Sequence, residues 1–196
     1  MYKSSAAVMA RRNEPLNTLD DYPTPPGATR ALLDWLERHG HELQSSTVFE
    51  PAAGRGYMAD VLQERFGGIV TADINDYGYP LDYVGDFLAE EFTPLTDWLI
   101  TNPPFKLLDG FIHVATEYYE RFAFLARVQA LEGQKRYRKI WSKHPPSHVL
   151  IFINRVAMVQ GGLAGKKASS AVAFAWYVWD GSMSGGTQID WIWYTK

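Results

Sequence analysis

Residues 47–56 read Thr-Val-Phe-Glu-Pro-Ala-Ala-Gly-Arg-Gly, and residues 69–73 read Ile-Val-Thr-Ala-Asp. The first stretch is a short apolar run that ends on an acid and breaks into a glycine turn. Between the two, residues 57–66 place Met58, Val61 and Leu62 at helical spacing, and Gly67-Gly68 stops the pattern. Strand, glycine turn, helix, strand and acid in that order form the repeating unit of a parallel α/β sheet. Glycine after the first strand lets the backbone approach a ligand closely. An acid ending the next strand, about 20 residues on, accepts hydrogen bonds from ribose hydroxyls. The turn is not G-x-G-x-x-G, because Ala52 and Ala53 precede Gly54 and Glu50 closes the strand. A carboxylate at that point repels a pyrophosphate. This disfavours a nicotinamide oxidoreductase and favours a nucleoside that carries a positive group.

Working outward, the same alternation continues. Residues 20–26, Asp-Asp-Tyr-Pro-Thr-Pro-Pro, cannot be helical, because prolines forbid it. Residues 28–39 read as a helix with Leu32, Trp35 and Leu36 on one face and Gly40 as its C-terminal cap. Residues 83–86 form a third strand ending on Asp86, and 98–101 a fourth. A helix over 107–119 and a strand over 122–128 follow. The basic run 133–143 reads as a helix. The apolar runs 148–159, 171–179 and 187–194 have no helices between them, which predicts an antiparallel hairpin closing the sheet edge. The expected organisation is a polar, flexible arm over 1–19 and one domain over 20–196, with a flexible loop at 161–170.

Composition narrows the chemistry. The chain has 196 residues, one domain's worth, and no cysteine. That excludes disulfide scaffolds, thiolate-ligated metals and thiol nucleophiles, and with them cytosine-ring methyltransferases and zinc deaminases. The five histidines (39, 41, 113, 144, 148) show no ligand spacing, so no metal is expected. No apolar run is long enough to span a membrane, and the start lacks a secretory pattern, so the expected location is cytoplasmic. The net charge of −3 argues weakly against nonspecific nucleic-acid binding. Its distribution matters more. Lys135, Arg136, Arg138, Lys139 and Lys143 stand together without an acid, with Tyr137 and Trp141 interleaved. They read either as a solvated helix face or as a phosphate-contacting element, joined by Arg11, Arg12, Lys166 and Lys167. Seven Trp, 11 Tyr and 10 Phe are many for such a chain. Trp176, Trp179, Trp191 and Trp193 read as core and sheet edge.

The fourth strand runs into Asn102-Pro103-Pro104-Phe105. It therefore ends at the carboxyl edge of the sheet, where open α/β folds bind ligands. Two prolines remove two N–H donors and fix the backbone. What remains are acceptors, the Asn102 side-chain oxygen and the Pro103 carbonyl, which suit a substrate NH2 group. An exposed Phe105 ring suits stacking on a planar base.

Together DYPTPP, FEPAAGRG, the Ala-Asp at 72–73, the Gly-Asp-Phe at 85–87 and ITNPPF at 100–105 resemble the ordered motifs of class I methyltransferases that use S-adenosylmethionine (SAM) and act on DNA adenine. The small phage and prophage N6-adenine type is most similar. Residues 125–138 and 166–179 resemble that group more loosely. The resemblance implies a Rossmann-like, mostly parallel seven-stranded sheet with helices on both faces. It implies that Thr24 meets the carboxylate end of SAM and that Glu50, Ala52, Gly54 and Gly56 line its methionine part. Asp73 and Ile74 would hold the ribose, and Asp86 and Phe87 the adenine. Asn102, Pro103, Pro104 and Phe105 would form the target-base site. Two departures stand out: Phe105 takes a place where Tyr is commoner, and too little chain follows for a separate recognition domain. Loops, the arm, a second copy or a partner subunit would then read the DNA, in a bacterial or phage-infected cell. Alternatives are the same chemistry on RNA adenine or guanine, or on a protein glutamine, and a non-catalytic nucleotide- or DNA-binding module on the same fold.

Overall fold

A computed structural model describes residues 22–158, 172–183 and 185–194. The expected arm over 1–19 and loop over 161–170 lie outside the described residues, as do Arg11, Arg12, Lys166 and Lys167. All eight apolar runs become strands: β1 Thr47–Glu50, β2 Gly68–Asp73, β3 Tyr83–Val84, β4 Trp98–Thr101, β5 Arg121–Arg127, β6 His148–Phe152, β7 Phe174–Asp180 and β8 Gln188–Ile192. They form one sheet in the order β3-β2-β1-β4-β5-β7-β6-β8. The expected count of seven is therefore corrected to eight. The additional strand is β8, whose alternating Ile189, Trp191 and Asp190, Ile192 let it pair parallel to β6 at the sheet edge.

Pairing is parallel from β3 to β5, as strand–helix alternation requires. The hairpin appears as expected: β7 runs antiparallel to both β5 and β6. Helices α1 Pro26–Arg38 and α2 Tyr57–Gln63 cover one face, with Leu32, Trp35, Leu36, Met58, Val61 and Leu62 in its core. Helix α3 Leu108–Tyr118 covers the other, with Phe111, Ile112 and Ala115 packed on Phe49, Leu99 and Phe124. Two indoles tie α1 to distant strands: Trp35 Nε1 donates to Asp190 at 3.1 Å, and Trp176 Nε1 to the Ala28 carbonyl at 2.9 Å.

Three local expectations change. The helix read over 57–66 stops at Gln63, and the strand read over 148–159 stops at Phe152. The basic run is not one regular helix. It is a single α turn, Gln134–Arg136, that widens into a π-helical turn, Tyr137–Trp141. The wide turn aims Ile140 and Trp141 inward, where the indole stacks on Tyr177 at 5.9 Å and donates to the Ala130 carbonyl. The tryptophans divide between core and sheet edge as expected: Trp176 and Trp179 are core, while Trp191, on the edge strand β8, and Trp193 just after it are exposed, by 65% and 71%.

Strand order reverses at β1, which has β2 on one side and β4 on the other. The carboxyl ends beside such a reversal form the crevice in which open α/β sheets bind ligands. Glu50, Asp73, Asp86 and Asn102 end or follow the four strands around it.

Candidate active site

The glycine turn is held open by backbone geometry. Gly54 and Gly56 adopt φ of 55° and 81°, where a side chain is strained. The Gly54 N–H donates to Asp73 Oδ2 at 2.9 Å, and the Asn75 N–H donates to Asp73 Oδ1 at 2.9 Å. Asp73 thus braces the turn against the loop after β2. Each carboxylate oxygen has a second lone pair, so the bracing does not prevent a further bond to a hydroxyl. The same loop folds back over the turn. The Tyr79 ring lies against Gly56, and its hydroxyl donates to Asp60 at 3.1 Å. Burial, with the nearby Asp60 carboxylate, pushes the Tyr79 phenol up to about 12.

A Cβ placed on Gly56 would lie 2.0 Å from two Tyr79 ring carbons. Gly56→Ala combines that overlap with a left-handed φ. It should therefore displace the Tyr79 loop, cost about 1–3 kcal/mol in denaturant unfolding and weaken ligand binding at the turn. An unchanged midpoint would remove the close approach from the account.

Glu50 is the deepest group in the crevice, only 2% exposed, and its Oε2 has no hydrogen-bond partner among the described residues. Burial first, and then the Asp73 and Asp60 carboxylates, raise its carboxyl well above the ordinary carboxylate range. Stranding such a group is unfavourable in an apolar interior unless a cation or donor meets it. The observation fits a ligand with a positive group. Thr24, also expected here, is buried just before α1, in the stretch whose Tyr22 reaches the β4 end. Ala52 and Ile74 are half-buried at the turn and the β2 end.

Asp86 caps the 3-10 turn Phe87–Ala89 through the Leu88 N–H at 2.9 Å. The Phe87 ring is buried against Phe111 at 5.0 Å and Phe49 at 6.1 Å, so it is part of the core beside the crevice.

Asn102 follows β4 directly. Asn102 Nδ2 donates to the Tyr22 carbonyl at 2.9 Å, and this orients the amide. Its Oδ1 is buried and has no partner among the described residues. A buried acceptor without a donor costs about 1–3 kcal/mol, a cost a ligand N–H would relieve. Pro103 is buried and Pro104 half-buried; the Pro104 carbonyl is taken by the Leu107 N–H at 2.8 Å, starting the turn into α3.

The Phe105 ring differs from expectation. It is half-buried, with Tyr22 at 5.3 Å and Phe174 at 5.6 Å, and the Arg127 guanidinium sits 4.5 Å from its centroid. A cation over a ring contributes about 0.5–1 kcal/mol at an exposed site. A stacked base contributes about 1–3 kcal/mol. On these magnitudes the guanidinium would not bar a planar base from the ring. Tyr22, Tyr79, Arg127 and Phe174 lie against the candidate residues and were not singled out from sequence; Tyr22 falls in the Asp-Asp-Tyr-Pro-Thr-Pro-Pro stretch and Arg127 in residues 125–138, while for Tyr79 and Phe174 the signal was the number of aromatic residues.

The basic run divides. Lys135, Arg138 and Lys139 are exposed. Arg136 is committed to the fold: its Nε donates to Asp109 at 2.7 Å, in the first turn of α3, and its guanidinium also reaches the Ala130 carbonyl. It braces the basic run against α3. Among the described residues no three His, Asp or Glu side chains gather as metal ligands, and no helix is long and apolar enough to cross a membrane.

No family model matches the sequence, and no curated protein matches it. Solved structures do. A candidate RNA methyltransferase from Pyrococcus horikoshii superposes with a TM-score of 0.66 at 17% identity, over 92% of this chain and 98% of that one. A candidate class I SAM-dependent methyltransferase from Listeria monocytogenes gives 0.63 at 10% identity, over 97% and 71%. The methyltransferase subunit of a type I restriction-modification system from Streptococcus thermophilus gives 0.57 at 10% identity, over 84% of this chain but only 46% of that subunit. The chain thus has the Rossmann-like fold of the class I SAM-dependent methyltransferases.

Proposed function

We propose that the protein transfers a methyl group from SAM to the exocyclic N6 amino group of adenine in DNA. The observation that carries this reading is the buried, unpartnered Asn102 Oδ1 at the strand-order reversal, beside a stacking ring. The stranded Glu50 carboxyl next to the glycine turn supports a cationic cofactor. Thr24, Glu50, Ala52, Gly54, Gly56, Asp73, Ile74 and Asp86 would hold SAM, with Phe87 contributing only backbone. When bound, SAM supplies an electrophilic methyl group on a sulfonium.

The chain's own residues then act on the base. An adenine amino nitrogen is a weak nucleophile, because its lone pair is delocalised into the ring. Asn102 Oδ1 and the Pro103 carbonyl accept its two N–H bonds, which draws the nitrogen toward tetrahedral geometry and stabilises its developing positive charge. The proton leaves after transfer, so no strong general base is needed. Phe105 stacks on the base, which must leave a duplex or come from a single strand to reach this crevice. Lys135, Arg138 and Lys139 serve as phosphate contacts, joined by Lys166 and Lys167. A partner subunit or second copy supplies target recognition, in keeping with the type I modification subunits, of which the chain spans just under half.

Supplying methyl-labelled SAM with single- and double-stranded DNA, RNA and a protein extract tests this. Label should enter DNA and appear as N6-methyladenine after nuclease digestion. Label confined to RNA or to protein glutamine would replace the substrate while keeping the site. SAM binding with no transfer to any polymer would replace the enzyme with a binding module.

A further inference from the structure

Arg127 is the last residue of β5, the strand that pairs parallel to β4, with Thr101 at the β4 end opposite Phe124. Its backbone is pinned from the other side. Arg127 pairs with Phe174 of β7, and the Tyr177 hydroxyl donates to the Arg127 carbonyl at 3.0 Å. The side chain is exposed, and its guanidinium rests on the Phe105 ring at 4.5 Å. The stem is therefore fixed while the charge lies where a stacked base would go. Tyr22 and Phe174 pack against the same ring, so the guanidinium is the displaceable neighbour.

We propose that Arg127 is the residue that receives the backbone phosphate of the target nucleotide, its guanidinium leaving the Phe105 ring for that phosphate as the base takes its place. The inference rests on the base-methylating reading of the site. A nucleotide that seats its base on Phe105 brings its own phosphates with it, linked through the sugar. A guanidinium is weakly hydrated, stacks on aromatic faces and forms paired bonds to phosphate oxygens, so it suits both positions. An ammonium fills only the second well. In the free protein the stacked cation also keeps the ring covered. Unlike the basic run 135–139, which sits apart on its own turn, Arg127 contacts the ring at which chemistry is proposed, so its effect is local to one nucleotide.

The test uses oligonucleotides in which one phosphate beside the target adenine is replaced by a neutral methylphosphonate, first 5′ and then 3′ of it. With the unmodified oligonucleotide, Arg127→Ala should raise KM about tenfold and leave kcat within about twofold. It should also reduce the salt slope of log KM by about one. Arg127→Lys should recover most of the loss in KM. In the unsubstituted protein one of the two neutral linkages should raise KM about tenfold. In Arg127→Ala the same linkage should have no effect. SAM affinity and the unfolding midpoint, measured alongside, should be unchanged and so report an intact fold. Equal penalties for the neutral linkage in both proteins would overturn the proposal, as would a fall in kcat alone. If the unsubstituted protein transfers methyl to no oligonucleotide, the base-methylating reading fails and Arg127's role falls with it. If it does transfer and the penalties are equal, only the role of Arg127 falls.

Discussion

Asn102→Ala should lower the methyl-transfer kcat by about 10²–10³, the loss typical when one preorganised partner of a developing charge is removed. SAM affinity, read by calorimetry, should stay within about threefold. The separation follows from what each end of the amide does. Nδ2 is engaged by the Tyr22 carbonyl, and Oδ1 is buried without a partner among the described residues. Alanine also removes the bond to Tyr22, which costs about 1 kcal/mol of stability, too little to unfold an ordinary domain. Asn102→Asp keeps an acceptor oxygen but sets a carboxylate against the Tyr22 carbonyl, so it should fall between alanine and the native residue. Equal transfer by the alanine variant would remove Asn102 from the mechanism. A parallel loss of SAM affinity would make it a scaffold residue.

The second large effect belongs to Glu50. Glu50→Gln preserves shape and removes ionisation. It should weaken SAM binding at least about tenfold and raise the stability of the ligand-free protein by about 1 kcal/mol or more at neutral pH. The pH dependence has a definite sign. The folded state holds the Glu50 proton more tightly than the unfolded chain, whose carboxyl titrates near 4.5. Its favourable contribution is complete below 4.5 and is lost as pH rises toward the raised folded value. Subtracting the unfolding free energies of the Gln variant from those of the native protein across that range should give a declining line. A flat difference would mean that the carboxyl is solvated, and would remove the argument for a cationic cofactor. SAM affinity should tighten over the same range, because a cation favours the ionised carboxylate.

How much of this could be read from sequence depends on whether a feature is local. The unit from Thr47 to Asp73 is local: helical spacing at Met58, Val61 and Leu62 between two apolar runs leaves few alternatives, and the sheet is built from it. The Asn102 acceptor is local too, because Pro103 and Pro104 cannot donate. The contacts that complete the site are not. Tyr22 reaches Asn102 across 80 residues of chain, and Arg127 reaches Phe105 only because β4 and β5 pair. No spacing rule encodes either. The ion pair of Arg136 with Asp109 on another helix is equally invisible in its run of basic neighbours. Phe87 followed a motif that specified its position and left its ring direction open, and the ring went to Phe49 and Phe111.

Sequencing that detects modified bases, applied to DNA from cells expressing the native chain and from cells expressing Asn102→Ala, tests the central claim most directly. N6-methyladenine should appear in the first DNA, at a recurrent sequence, and not above background in the second. Adenine methylation that survives the substitution, or its absence from both while SAM binds the purified protein, would contradict it.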